Sequence, residues 1–147
     1  MMATLCTSTR RYSWEAAHRV LAEGSRCASL HGHSYSAEVS CQAAVLGDSL
    51  RSVDWSVVDR SVGRWISERW DGATLVGGDD QQLLGWLVHH GQRHYPLFDE
   101  DGVGLAPTPE TLATELLLCG RTMLQATPVE VVGVVVHETV DSSAGVL

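Results

Sequence analysis

The chain has 147 residues, 18 acidic side chains against ten basic ones and a formal charge of -8, and all ten bases are arginine. With no lysine, chemistries that need a primary amine are excluded: Schiff-base catalysis, a pyridoxal phosphate anchor and the lysine of a phosphate-binding loop. The acidic balance, with no run of basic residues, excludes a nucleic-acid or anionic-membrane surface and favours a small-molecule partner. A chain of about 150 residues buries roughly 68–70% of its unfolded surface, so one domain over residues 1–147 has a core without disulfides. Cys6, Cys27, Cys41 and Cys119 are irregularly spaced and read as free thiols. The first residues form no apolar leader and no segment is apolar enough to span a bilayer, which reads as a cytoplasmic protein.

Polarity alternates over residues 5–14 and 31–46, the period of half-buried strands, and it places His31, His33, Tyr35, Ala37, Val39 and Cys41 on one face. Over 54–70, Val57, Val58, Val62, Trp65, Ile66 and Trp70 recur at helical spacing behind Asp54 as N-cap. A shorter helix is predicted over 80–90, with Leu83, Leu84, Leu87 and Val88 as its stripe and Gly91 as its left-handed terminator. The tract 95–107, rich in acid, glycine and proline, reads as a loop. Thr108-Pro109-Glu110 then opens a third helix: a capping hydroxyl, a proline at the first helical position and an acid at the positive end of the dipole. Leu112, Ala113, Leu116, Leu117 and Leu124 form its buried stripe. The β-branched run 129–139 is the last predicted strand, ending at His137-Glu138-Thr139. Two strands, three helices and a strand indicate an α+β fold with helices on one face of an antiparallel sheet.

Three of the seven histidines fall in two short segments, His18 in Ala16-Ala17-His18-Arg19 and the pair His31-Gly32-His33. Residues i and i+2 of a strand point the same way, about 6–7 Å apart along the chain, so the two rings of the pair can converge on one ion. A third imidazole from His18 on the neighbouring strand completes a three-histidine site with an open fourth position, the pattern of catalytic zinc. The alternative for the pair alone is two exposed strand histidines.

Ala16-Ala17-His18-Arg19, Cys27-Ala28-Ser29-Leu30-His31-Gly32-His33-Ser34-Tyr35, Val53-Asp54-Trp55, Pro107-Thr108-Pro109-Glu110-Thr111-Leu112-Ala113 and His137-Glu138-Thr139 follow one another along nearly the whole chain. In that order they resemble the family of 6-pyruvoyltetrahydropterin synthase and 6-carboxytetrahydropterin synthase, and the single Cys27 four residues before His31 is nearest to the second branch. The resemblance implies the tunnelling fold, with a four-stranded antiparallel sheet whose copies join into a β-barrel, and a homohexamer or homotetramer with sites at subunit interfaces. It implies zinc held by His18, His31 and His33, Cys27 as catalytic base and Glu138 as pterin anchor. The implied activity is that of a lyase on dihydroneopterin triphosphate or a related pterin, in which zinc acidifies C–H bonds beside the side-chain oxygens and a thiolate takes the proton. Thr108 and Arg19 join Glu138 as substrate-binding candidates. In a lysine-free chain, a phosphate has only arginines such as Arg19 and Arg26, zinc and backbone N–H groups to hold it.

One position departs from the family. Its Asp-His pair after the first helix aligns with Asp71-Gly72, so the acid of the proton-transfer system is present and glycine stands where the histidine belongs. Loss of a general acid–base group commonly removes about 10²–10⁴ in rate. Three readings follow: His89, His90 or His94 replaces the missing ring; the zinc site and Cys27 serve the elimination, isomerisation or cyclisation of a non-pterin metabolite; or the protein binds zinc and a pterin without turnover.

Overall fold

Two strands of 14 residues, β1 (Leu5–His18) and β2 (His31–Ala44), pair antiparallel along their full length, Leu5 opposite Ala44 and His18 opposite His31. The computed structural model describes residues 4–22, 24–45 and 52–147. Leu46, the last residue of the second predicted strand, lies outside them, as do the first three residues of the chain. β1 runs four residues beyond its predicted end because Trp14, Ala16 and His18 continue the alternation: all three are buried on the face that also holds Tyr35, Ala37, Val39 and Cys41. The other face of the hairpin carries Arg11, Glu15, Ser34, Ser36, Glu38 and Ser40, none of them buried. The strand period of two thus separates a core face from a polar one.

β5 (Glu130–His137) adds antiparallel to β2, and β6 (Ser143–Val146) antiparallel to β5. On the other flank β3 (Ala73–Gly77) runs parallel to the last residues of β1, and β4 (His94–Leu97) parallel to β3. The sheet is therefore mixed and six-stranded, in the order β4-β3-β1-β2-β5-β6, where the expectation was four antiparallel strands. The added strands have only four or five residues each, too short for a visible period. β3 is buried on nearly every residue, as a parallel strand covered on both faces must be, so it does not alternate. β4 opens the tract expected to be loop, and its Pro96 is tolerated because β4 is an edge.

The first predicted helix is α1 (Trp55–Val58), a π turn (Asp59–Gly63) and α2 (Arg64–Arg69) in unbroken succession, opened by Asp54, whose carboxylate accepts from the Ser56 N–H. The π turn lies on β1: a Cβ on Gly63 would come within 2.9 Å of the Tyr12 ring, and the Tyr12 hydroxyl donates to Asp59 Oδ1 at 2.7 Å. Gly63 is what permits that approach. α3 (Gln81–His89) is capped by Asp80 and followed by Gly91 at φ +62°, and α4 (Pro109–Leu124) is capped by Thr108. Val58, Val62, Ile66 and Trp70 meet Leu112, Ala113, Leu116, Leu117 and Leu124 in one core over the Trp14–Tyr35 face.

α3 departs from the expectation of helices on a single face. Its Leu83 and Leu87 pack on Val76, whereas the preceding strand residue, Leu75, belongs to the main core. Neighbouring residues of a strand point to opposite faces, so α3 covers the reverse side of the sheet at β3. Val88, expected in its buried stripe, is 60% exposed. Among the described residues no helix is long and apolar enough to cross a membrane.

Candidate metal centre

The site forms where β1 ends and β2 begins. His18 faces His31 across the ladder and His33 faces Ala16, all on the core side. Ring centroids lie 4.6 Å apart for His18–His31, 4.7 Å for His31–His33 and 5.0 Å for His18–His33. One ligand atom from each ring lies within 4.8 Å of the others, and no further His, Cys, Asp or Glu belongs to this group among the described residues.

Hydrogen bonds orient two of the rings. His18 Nδ1 lies 2.8 Å from the Pro107 carbonyl and His31 Nδ1 2.7 Å from the Ser29 carbonyl. A carbonyl oxygen only accepts, so each Nδ1 carries the proton and each Nε2 presents a lone pair. Those two Nε2 atoms stand 3.1 Å apart. Two lone pairs at that distance repel unless a cation lies between them, and nitrogen ligands at roughly 2.0–2.1 Å from a tetrahedral ion sit about 3.3 Å apart. The buried Nε2 of His33 has no hydrogen-bond partner, its nearest acid being Glu138 Oε1 at 3.5 Å. These donors fit a bound metal. Burial holds His18 below its ordinary pKa against the opposing effect of the Pro107 hydrogen bond, which favours the neutral, ligating form. Beneath the rings, buried Tyr35 stacks on Trp14 at 5.3 Å and meets His33 and His18 edge-on at 5.5 and 5.9 Å. Burial also pushes its hydroxyl well above the usual phenol range.

Glu138, in the turn after β5, is brought to the histidines: its carboxylate is 17% exposed beside His33 and its N–H donates to the Ser142 carbonyl. Cys27 sits in a 3-10 turn (Arg26–Ala28) of the β1–β2 connection. Its N–H donates to Ser25 Oγ at 3.0 Å and its carbonyl accepts from Val20, which leaves the thiol exposed. Burial pushes the thiol of buried Cys41 up to about 11 and that of half-buried Cys119 up to about 12.

Asp71 is exposed and its carboxylate accepts from the backbone N–H of Glu15 at 3.0 Å, while the Gly72 N–H donates to the Glu15 carbonyl at 2.7 Å. The pair clasps β1 from the β3 side. Gly72 has φ +70°, a left-handed conformation that favours glycine, and a Cβ there would meet nothing within 4 Å. Together with Gly32 and Thr74 it lines an open groove of about 470 Å³. Thr108 accepts from the Thr111 N–H as the α4 cap. Arg19 is held by Asp80, with Nε and Nη2 each donating to one carboxylate oxygen at 2.6 Å. His89, His90 and His94 stay outside the ligand group; His90 stacks on Trp86 at 4.3 Å.

Sequence reasoning missed the carbonyls of Pro107 and Ser29 and the carboxylate of Asp80. The carbonyls leave no residue-type signal, whereas an acid at a helix start reads as a cap, which Asp80 also is.

The family model for 6-pyruvoyl tetrahydropterin synthase matches residues 7–146. A 6-carboxy-5,6,7,8-tetrahydropterin synthase from Rickettsia felis is 28% identical over 110 residues, 74% of this chain and 75% of that protein. In fold the chain is similar to an uncharacterized protein from Wolinella succinogenes, with a TM-score of 0.75, 20% identity and 98% of each chain covered. The 6-pyruvoyl tetrahydropterin synthase of Caenorhabditis elegans gives a TM-score of 0.70 at 17% identity, covering 99% of this chain and 98% of that one. With its ordered motifs, its three converging histidines and a family match over almost its whole length, the chain belongs to the 6-pyruvoyl tetrahydropterin synthase family.

Proposed function

We propose that the protein is a zinc-dependent lyase that acts on dihydroneopterin triphosphate or a related pterin, in the manner of a 6-carboxytetrahydropterin synthase. The observation that carries this reading is the facing pair of Nε2 lone pairs on His18 and His31, with the unpartnered His33 Nε2 and the Glu138 carboxylate beside them. Zinc held by these three rings would act as a Lewis acid on the side-chain oxygens of the substrate and so acidify the adjoining C–H bonds. Glu138 is suited to accept the 2-amino and N3–H protons of a pterin edge, a two-oxygen match that fixes the ring's orientation. We assign proton transfer to the exposed Cys27 thiol on the hairpin connection, which as thiolate would take a proton and return it. Residues 106–108 form the strap whose Pro107 carbonyl orients His18, and Thr108 ends it as the cap of α4, its N–H donating to the Ala106 carbonyl at 2.8 Å. Because Arg19 is engaged by Asp80, a triphosphate would fall to Arg26, one residue from Cys27, and to backbone N–H groups.

Among the described residues β4 and β6 are the edge strands of the sheet, and an edge is where a second copy can add, which is consistent with assembly of a homohexamer or homotetramer around a shared barrel. A cytoplasmic, small-molecule enzyme with no nucleic-acid partner fits the composition. A second reading is favoured by one observation: Gly72 carries no acid–base group and Asp71 is engaged by the Glu15 backbone. In that reading the same zinc and Cys27 serve a non-pterin metabolite whose reaction needs one base. Purified protein should contain one zinc per chain and convert dihydroneopterin triphosphate, and Cys27→Ala should lower conversion by about 10²–10⁴ while leaving the zinc. A zinc-loaded wild type that turns over no pterin would give way to the second reading.

A further inference from the structure

The corner between β3 and α3 lies directly behind the histidine site. β1 and β3 run parallel over their last shared residues, with His18 opposite Leu75, so both chains leave the sheet at the same end. The residue after His18 is Arg19, and its guanidinium makes two bonds of 2.6 Å to Asp80. Asp80 is 4% exposed and its Oδ1 also accepts from the Leu83 N–H at 3.1 Å, as the cap of α3. A carboxylate so enclosed, held by a forked guanidinium on one side and a helix start on the other, has one allowed position. The strap that orients the His18 ring rests on the same corner. A Cβ on Gly77 would come 3.1 Å from the Leu105 carbonyl and 3.7 Å from Pro107 Cδ, and the space between Arg19, Gly77, Asp80 and Pro107 is only about 30 Å³.

We infer that the Arg19–Asp80 pair is the outer brace of the metal centre: a positioning pair that fixes the main chain of His18 and backs the Pro107 strap, and so makes α3 part of the zinc site. The inference rests on the zinc reading above. It assigns Arg19 to holding a ligand in place, through Asp80, and it gives the helix on the reverse face of the sheet a reason to be there. Removing an outer partner of a metal ligand typically lowers affinity about 10–100-fold.

The test is zinc affinity by competition with a chromophoric chelator, on the assembled protein, for wild type, Asp80→Asn, Arg19→Lys and Thr127→Ala. Thr127 bonds to Leu124 and Val129 in the turn after α4, away from the histidines, and controls for general destabilisation. Asp80→Asn and Arg19→Lys should weaken zinc about 10–100-fold and shift the visible spectrum of the cobalt-substituted protein, with Thr127→Ala unchanged in both. Arg19→Lys keeps a cation for Asp80, so it provides the measurement should Asp80→Asn fail to fold. Zinc affinity within twofold of wild type in both brace variants, or an equal loss in Thr127→Ala, would overturn the brace alone. A wild type that holds no zinc would overturn the metal reading and the brace with it.

Discussion

At the histidine end of the hairpin the rings are fixed from several sides, by the carbonyls of Pro107 and Ser29, by Tyr35 beneath them and by the antiparallel ladder itself. Cys27 and Asp71, the candidate proton-transfer groups, are both exposed, and each is held only through bonds to main chain or to a turn hydroxyl. A single chain thus brings the candidate metal ligands together in one half of the site and leaves the candidate proton-transfer half open to solvent.

The largest effect falls on the histidine half. His31→Ala should abolish stoichiometric zinc, a loss greater than the roughly 10–100-fold expected for an outer partner, with the fold retained because His31 is only half-buried. Elemental analysis after dialysis checks this; one zinc per chain in the variant would break the contrast between the two halves. Next comes Cys27→Ala, which should lower turnover by about 10²–10⁴ with zinc content unchanged. Loss of zinc along with activity would place the thiol in the metal cage.

How much of this was legible in the sequence depends on range. Alternation and helical spacing are local, so the hairpin, the capped helices and the strand after 129 could be read, and with them the shared face of His31 and His33. Partner choice is not local. That β1 pairs parallel with Ala73–Leu75, and that Val76 turns its back on the main core to receive α3, depends on burial that a five-residue strand cannot announce. The same holds for the site: side chains that ligate have a residue type to betray them, while the Pro107 and Ser29 carbonyls do not. Arg19 illustrates the other difficulty. Its place beside a ligand suggests a substrate anion, but the nearest anion is the chain's own Asp80, 61 positions away.

Asp80 also gives the histidine half a pH signature. Hydrogen bonds from Arg19 hold its carboxyl below the ordinary 3.8, so the pair's stabilisation is complete above that value and disappears as pH falls through the depressed folded value. At pH 7 Asp80→Asn should therefore be less stable than wild type by about 1.5–3 kcal/mol, with the gap closing only in strong acid. Paired urea titrations at pH 7 and below pH 3.8 measure it. A gap that does not depend on pH would mean that packing, rather than the charged pair, anchors that corner.

The smallest change bears most directly on the open half. Gly72→His restores the ring the family carries after Asp71. The position has room, since a Cβ there meets nothing within 4 Å, but its φ of +70° belongs to the left-handed region. Histidine enters that region more readily than most residues, so the variant should fold at a cost of about 1 kcal/mol. If the glycine is what limits proton transfer on a pterin, Gly72→His should raise turnover of dihydroneopterin triphosphate while leaving zinc affinity untouched. Unchanged turnover in a stable, zinc-loaded variant would mean that the glycine does not limit proton transfer on a pterin, and would favour a substrate whose reaction needs one base alone.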